Sequence, residues 1–329
     1  MKTIWVEPTV RDSVVEYVHE KKRKTAFTLN TLLMMIGIDK SKYYAWKHRL
    51  GIDNQHNCNL PKSKWLLAEE KEAVIAYAKK HYADNDYYLR DGYRRLTYRM
   101  LDEDIAAVSP SSVYRILQSE NLLNKWNTAK VSAKGNGFTQ PRTPHEQWHT
   151  DIKYINVRGS FMYLISVMDG YSRSIIHHEV RLCMAEYDVQ LTIQRAKEKY
   201  PNEHPRIISD NGGQFISKDF QKFIRAIELT HVKTSIAYPQ SNGKLERFHR
   251  SIGMECLRTK SFLNIEDARI LIAQYIKQYN TVRLHSSLLY LTPEDVLLGR
   301  VKERTFVREE KIKNAVEKRL RFWNVKQAA

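Results

Sequence analysis

Between Trp148 and Val180 the chain reads as three β-rich runs in quick succession, and no other stretch restricts the fold so tightly. Trp148–Val157 alternates apolar and polar residues, Arg158-Gly159-Ser160 supplies a turn, and Phe161–Met168 is strongly apolar. Ser174–Val180 makes the third run. Connections this short leave only an antiparallel meander. The period then changes, with a helix expected over Ala185–Lys199, a strand over Arg206–Ser209 and a helix over Lys218–Ile227. A strand at Leu229–Val232, a loop at Lys233–Asn242 and a helix at Gly243–Leu257 follow, the last carrying Leu245, Phe248, Ile252 and Cys256 in one apolar stripe. The expected fold class is therefore α/β, a mixed five-stranded sheet flanked by helices and preceded by all-α units.

Three carboxylates fall at telling places in this layout. Asp151 lies in the middle of the first strand, where an unpaired carboxylate is costly unless a metal or a partner meets it. Asp210 ends the fourth strand, at the edge where sites of α/β sheets gather. Glu246 sits beside the apolar stripe of its helix, with 35 residues between it and Asp210. Converging carboxylates make a hard-oxygen site for Mg²⁺ or Mn²⁺. Two such ions can activate a hydroxyl and stabilise a leaving oxygen in attack on a phosphodiester. A fourth acid, Asp169 in Met168-Asp-Gly-Tyr-Ser-Arg173, is expected to stabilise a hairpin turn and to pair with Arg173. Gly212 and Gly213 are expected to turn the chain sharply after Asp210, and Asn242-Gly243 to let the Tyr238–Ser241 loop move.

The charge points the same way. The formal net charge is +17, and the excess is concentrated at the ends, with ten basic against five acidic residues over 1–50 and nine against four over 301–329. That distribution suits a polyanion. Residues 1–50 read as three short helices in which Gly37 precedes a basic, aromatic helix, the pattern of a helix-turn-helix. Lys40, Lys42, Lys47 and Arg49 are then candidate DNA contacts, although a small bundle with a solvated basic face accounts for them equally well. Residues 51–64 have linker composition, 65–124 form a second helical unit, and 125–146 form a second linker. In the second unit Arg94, Arg95, Arg99 and Arg115 are candidate phosphate contacts, with salt-bridged surface arginines as the alternative. The strand-rich domain spans 147–300, and 301–329 is a basic segment expected as an extra unit or an arm. Cys58, Cys183 and Cys256 are scattered and suggest reduced thiols rather than a disulfide framework or a zinc site. No signal pattern or long apolar run points to a membrane, and a cytoplasmic protein is expected.

The flanks of the carboxylates are more specific than their spacing. Ser-Asp-Asn-Gly-Gly-Gln-Phe at 209–215 and the run from Tyr238 to Ile252 resemble the catalytic core of retroviral integrases and of bacterial insertion-sequence transposases. The first strands and the segment 279–296 match the same superfamily, and the segment around Gly92-Tyr-Arg-Arg-Leu96 resembles the insertion-sequence-three type. A zinc-binding His-His-Cys-Cys unit of the retroviral kind is not completed by His56 and Cys58. The resemblance implies an RNase H-like integrase core and a transposase that cleaves element ends and joins the 3′-hydroxyl to DNA. It implies two Mg²⁺ or Mn²⁺ ions on Asp151, Asp210 and Glu246. It also implies double-stranded DNA (terminal repeats and target) as partner, a homo-oligomer, and association with the nucleoid when DNA is bound. Lys244, His249 and Arg250, bordering Glu246, become candidate DNA contacts. A regulator with an inactive core and a nuclease without strand transfer are the competing expectations.

Overall fold

The computed structural model describes residues 6–52, 65–83, 91–123, 140–157, 159–233 and 243–328. The loop around Tyr238–Asn242, the His56–Cys58 pair and most of both expected linkers lie outside the described residues. Two compact units divide the chain, Met1–Lys62 and Ser63–Ala329.

In the first unit, α1 (Pro8–Lys24), α2 (Leu29–Ile36) and α3 (Lys40–Lys47) close over Val15, Val18, Leu33 and Tyr43. The Thr28 hydroxyl caps α2 by accepting the Thr31 N–H, and Gly37, at φ 74°, ends it in the left-handed conformation that a side chain disfavours. Buried Arg11 donates to the Ile52 carbonyl at 2.8 Å and pulls the end of the unit back onto α1.

The second unit begins with α4 (Ala68–Ala83), α5 (Tyr93–Asp102) and α6 (Pro110–Ser119), packed around Val74, Ala78, Leu96, Met100, Val113 and Leu117. Ser109 caps α6, with Pro110 in its first turn, as the Ser-Pro pair predicts. A five-stranded sheet follows, from β1 (Gln147–Val157), β2 (Ser160–Asp169), β3 (Ile175–Arg181), β4 (Arg206–Ser209) and β5 (Thr230–Lys233). The strand order is β3-β2-β1-β4-β5, with β1–β3 antiparallel and β4 and β5 joined in parallel. This is the mixed sheet with flanking helices expected of an RNase H-like core.

The pleat sorts side chains between two layers. Trp148, Ile165, Val167 and Ile207 face α7 (Glu186–Lys199), α8 (Gly213–Ile216) and α9 (Lys218–Ala226), where Val189, Ile193, Phe215 and Phe220 cover them. Ile155, Val157, Met162 and Leu164 face α10 (Gly243–Ile252) and α11 (Ile265–Thr281), through Leu245, Phe248, Ile252 and Tyr275. The single helix predicted for Gly243–Leu257 is not continuous. After Ile252 the chain widens into a π turn over Gly253–Leu257, closed by the Arg258 N–H on the Gly253 carbonyl at 3.1 Å. Glu255 within that turn is held by Arg283 and by the Tyr275 hydroxyl.

A short helix, α12 (Pro293–Leu297), opens on a capping box between Thr292 and Asp295 and leads to α13 (Val301–Ala328), which spans the basic C-terminal segment. Arg308 forks onto Asp102 at 2.8 and 2.7 Å, Arg319 onto Glu70 at 2.9 Å, and the Trp323 indole donates to the Trp65 carbonyl at 3.0 Å. The last helix thus grips the α4–α6 bundle. Among the described residues no helix is long and apolar enough to cross a membrane.

Candidate active site

β1 and β4 run parallel, and their register pairs Gln147 with Arg206, Trp148 with Ile207 and His149 with Ile208. Carried two residues beyond its last pair, that register would bring Asp151 across from Asp210, which follows the end of β4 at Ser209. Asp151 shares its strand face with Ile155 and Val157, so it points toward the α10 layer. Asp210 has the parity of Ile208, opposite to Ile207, and emerges on the same side at the carboxyl end of β4.

Each carboxylate is held by local backbone. One oxygen of Asp151 accepts the Ile152 N–H at 2.8 Å, and one oxygen of Asp210 accepts the Gly212 N–H at 3.0 Å. The sharp turn expected of Gly212 and Gly213 takes another form. Gly212 has an ordinary φ of −56°, and what it provides is room, because a Cβ there would lie 3.1 Å from an Asp210 oxygen. The second Asp151 oxygen lies 3.4 Å from Nδ1 of His249, buried on α10. Glu246 is one turn earlier on the same flank of α10, in its first turn, with its side chain in solvent. His249 therefore ties the helix carrying Glu246 to the strand carrying Asp151. The three-way convergence expected from the sequence is not complete. Among the described residues no three His, Cys, Asp or Glu side chains come close enough to hold one metal ion.

Lys153 was not singled out by the sequence. It lies two residues beyond Asp151 on the same strand face, and a Cβ at Gly253 would be 3.9 Å from its Nζ. Burial and the charge of Arg258 lower its pKa, while Asp151 opposes the shift. The period of two from Asp151 was the signal available for it.

The remaining candidates separate by what they touch. Lys244 is half-buried and donates to the Gly170 carbonyl at 2.5 Å, and burial with the nearby charge of Arg173 pushes its pKa down to about 8. Arg250 is exposed. Arg95 pairs with buried Asp91 at 3.2 Å, beside Arg99 at 2.8 Å, so its charge is already matched. Arg94 lies over the Tyr93 ring and Arg115 donates to the Ser111 carbonyl. On α3, Lys40 and Lys47 are exposed on one face with Tyr44, whereas Lys42 lies over the Trp46 ring on the other, and Arg49 follows the helix in solvent. Lys22 and Arg23 at the end of α1 line one hollow with Lys47. The Lys21–Lys24 run was the sequence signal for them.

Asp169 does not form the expected ion pair with Arg173. One oxygen accepts the His145 N–H at 2.8 Å, and the other accepts the N–H and hydroxyl of Ser172 at 2.6 Å. The turn is closed by backbone, with the Arg173 N–H on the Asp169 carbonyl at 2.8 Å, and its closure directs the Arg173 side chain elsewhere.

Two family models described as integrase core domain match consecutive parts of this chain, residues 141–239 and 228–293. Residues 141–293 are thus similar to an integrase core domain. The integrase core so defined contains Asp151, Asp210, Glu246 and His249. Similar proteins include the Escherichia coli "Putative transposase InsK for insertion sequence element IS150", 26% identical over 62% of this chain and 76% of that one. The Escherichia coli "Transposase InsF for insertion sequence IS3fB" is 23% identical over 85% of this chain and 97% of the relative. Among solved structures, a chain of the simian T-cell lymphotropic virus intasome in complex with PP2A regulatory subunit B56 gamma aligns with a TM-score of 0.44. It is 16% identical and covers 68% of this chain and 74% of that one.

Proposed function

We propose that this protein is a DNA transposase that cleaves phosphodiesters at the ends of a mobile element and joins the freed 3′-hydroxyl to target DNA. The observation that supports this reading is the parallel β1–β4 pairing, with Asp151 two residues past its last paired residue on β1, Asp210 just past the end of β4, and His249 of the Glu246 helix 3.4 Å from Asp151. The donor set fits hard divalent cations. The Asp210 and Glu246 side chains are exposed, and each backbone-held Asp has one oxygen so engaged and a second directed away from that bond. Asp151, Asp210 and Glu246 would hold two Mg²⁺ or Mn²⁺ ions, which when bound would supply an activated hydroxyl and charge stabilisation for the leaving oxygen. His249 positions the Asp151 carboxylate, and exposed Arg250 reaches phosphate beside it. The basic face of α3 would take duplex DNA, as phosphate contacts of this kind fix register on the duplex. The names of the relatives, transposases of insertion sequences, support a mobile element as the substrate. The same proposal takes the element's terminal repeats as the DNA bound, a homo-oligomer that pairs two ends, and a cytoplasmic, nucleoid-bound location.

The test is strand transfer with labelled duplex from the ends flanking the gene, in Mg²⁺, beside Glu246→Gln. Joined product from the native chain alone supports the transposase. End binding without cleavage, unchanged by the substitution, moves the reading to a regulator. Cleavage without joining moves it to a nuclease.

A further inference from the structure

A cavity of about 280 Å³ opens where the β2–β3 turn, the first turn of α10 and the segment between α11 and α13 meet. Its volume is just under the ~300 Å³ at which small-ligand sites begin. Lys244 and Arg173 line it, with Tyr171, Leu289 and Val296 as the less polar wall. Arg247, three residues along α10 from Lys244, is close enough that its charge and that of Arg173 both act on Tyr279 and His285. Among the described residues, none of Arg173, Lys244 and Arg247 has a carboxylate within 4 Å. Asp169, at the end of β2, has both oxygens committed to His145 and Ser172.

Arg173 and Lys244, both lining the hollow, and exposed Arg247 beside Lys244 on α10 are like charges that repel one another. Nor does His285 relieve them, since burial and the surrounding arginines push its pKa down to about 2 and keep it neutral. The backbone around the cavity is also held in uncommon conformations. Arg173 has φ 63°, and Leu289 and Tyr290 follow one another at 55° and 56°. Such conformations persist where surrounding structure enforces them, and they cluster at ligand clamps.

We propose that Arg173 and Lys244 receive one phosphate of a DNA strand in this cavity, with exposed Arg247, three residues along α10, adding its charge from outside. The inference rests on the transposase reading and deepens it by naming a point at which the strand is held. The guanidinium fork of Arg173 matches two phosphate oxygens, and Lys244 adds a compact charge. Leu289 and Val296 offer the adjoining sugar an apolar wall. Lys244 precedes Glu246 by two residues, a rise of ~3 Å along the helix but ~200° around it, so the captured phosphate would hold the strand at the start of α10, on the flank away from that carboxylate.

The experiment is a phosphate-neutralisation scan on the full chain. Duplexes from the element ends, each carrying one methylphosphonate, are titrated against the native protein, Arg173→Gln/Lys244→Gln and the exposed Arg247→Gln, with thermal melts confirming that each folds. The expected result is one linkage whose neutralisation weakens native binding about tenfold and has no further effect on the variants. Losses that add at every linkage would overturn the proposal, even in a protein that still joins ends. Thermal stabilisation by inorganic phosphate, abolished in the double variant while no linkage in the scan is sensitive, would also overturn it and assign the cavity to the free ion. Failure of the transposase reading is separate, because it is read from joined product with Glu246→Gln.

Discussion

Arg283 grips Glu255 with both arms of its guanidinium, Nε at 2.9 Å and Nη2 at 2.6 Å, across 28 residues of chain. Glu255 lies in the π turn that continues the helix of Glu246 and His249, and the Tyr275 hydroxyl donates to the same carboxylate at 2.9 Å. Removing one member of a largely buried, hydrogen-bonded pair strands the other, at about 3 kcal/mol or more. Arg283→Met is therefore expected to lower unfolding free energy by about 3 kcal/mol in urea titrations. An unchanged midpoint would show that the pair does not secure the helix.

His249 should matter to rate more than to DNA affinity. Partners that orient a metal-ligating side chain typically contribute about tenfold to a hundredfold. His249→Ala is expected to lower single-turnover cleavage by that factor while leaving end binding within twofold. Equal losses in both would indicate a direct DNA contact.

Gly212→Ala tests whether Asp210 needs the close approach of its neighbour. The added Cβ would meet Gln214 at 3.0 Å and the Asp210 carboxylate at 3.1 Å, so the acid must shift by a few tenths of an ångström. Cleavage should fall about tenfold or more with stability changed by under ~1 kcal/mol, since Gln214 can give way. Full activity would show that Asp210 tolerates the shift.

Acid should weaken the core before it reaches the carboxylates. Burial, with the charges of His177 and Lys199, lowers the pKa of His178 to about 4. Between the unfolded value of 6.5 and about 4 the unfolded chain binds the proton and the native one does not, so stability falls as pH falls through that window. His178→Gln should make the fall of the urea midpoint between pH 6.5 and pH 4.5 shallower, with buried His285 still contributing to what remains. A slope equal to the native protein's would remove His178 as its source.

The strands were readable because a sheet imposes a period of two and turns punctuate it, and β4 falls at Arg206–Ser209 as the apolar run ending in Asp210 predicts. The face assignments of Asp151 and Asp210 follow from the same period. Long-range partnership was not readable. Nothing local to Glu255 announces Arg283, and nothing local to Asp102 announces Arg308, so the π turn and the docking of α13 emerge only in three dimensions. Asp169 illustrates a different failure. Its nearest basic neighbour in sequence was the natural ionic partner, but a tight turn favoured Ser172 and the backbone.

The grip of α13 on the α4–α6 bundle also sets an order of assembly. Arg319 meets Glu70 across 249 residues, and Trp323 meets Trp65 across 258. The bundle is synthesised well before the helix that clasps it, and contacts so distant in sequence form late. A chain cut short before Val301 would keep all three carboxylates and lose the clasp.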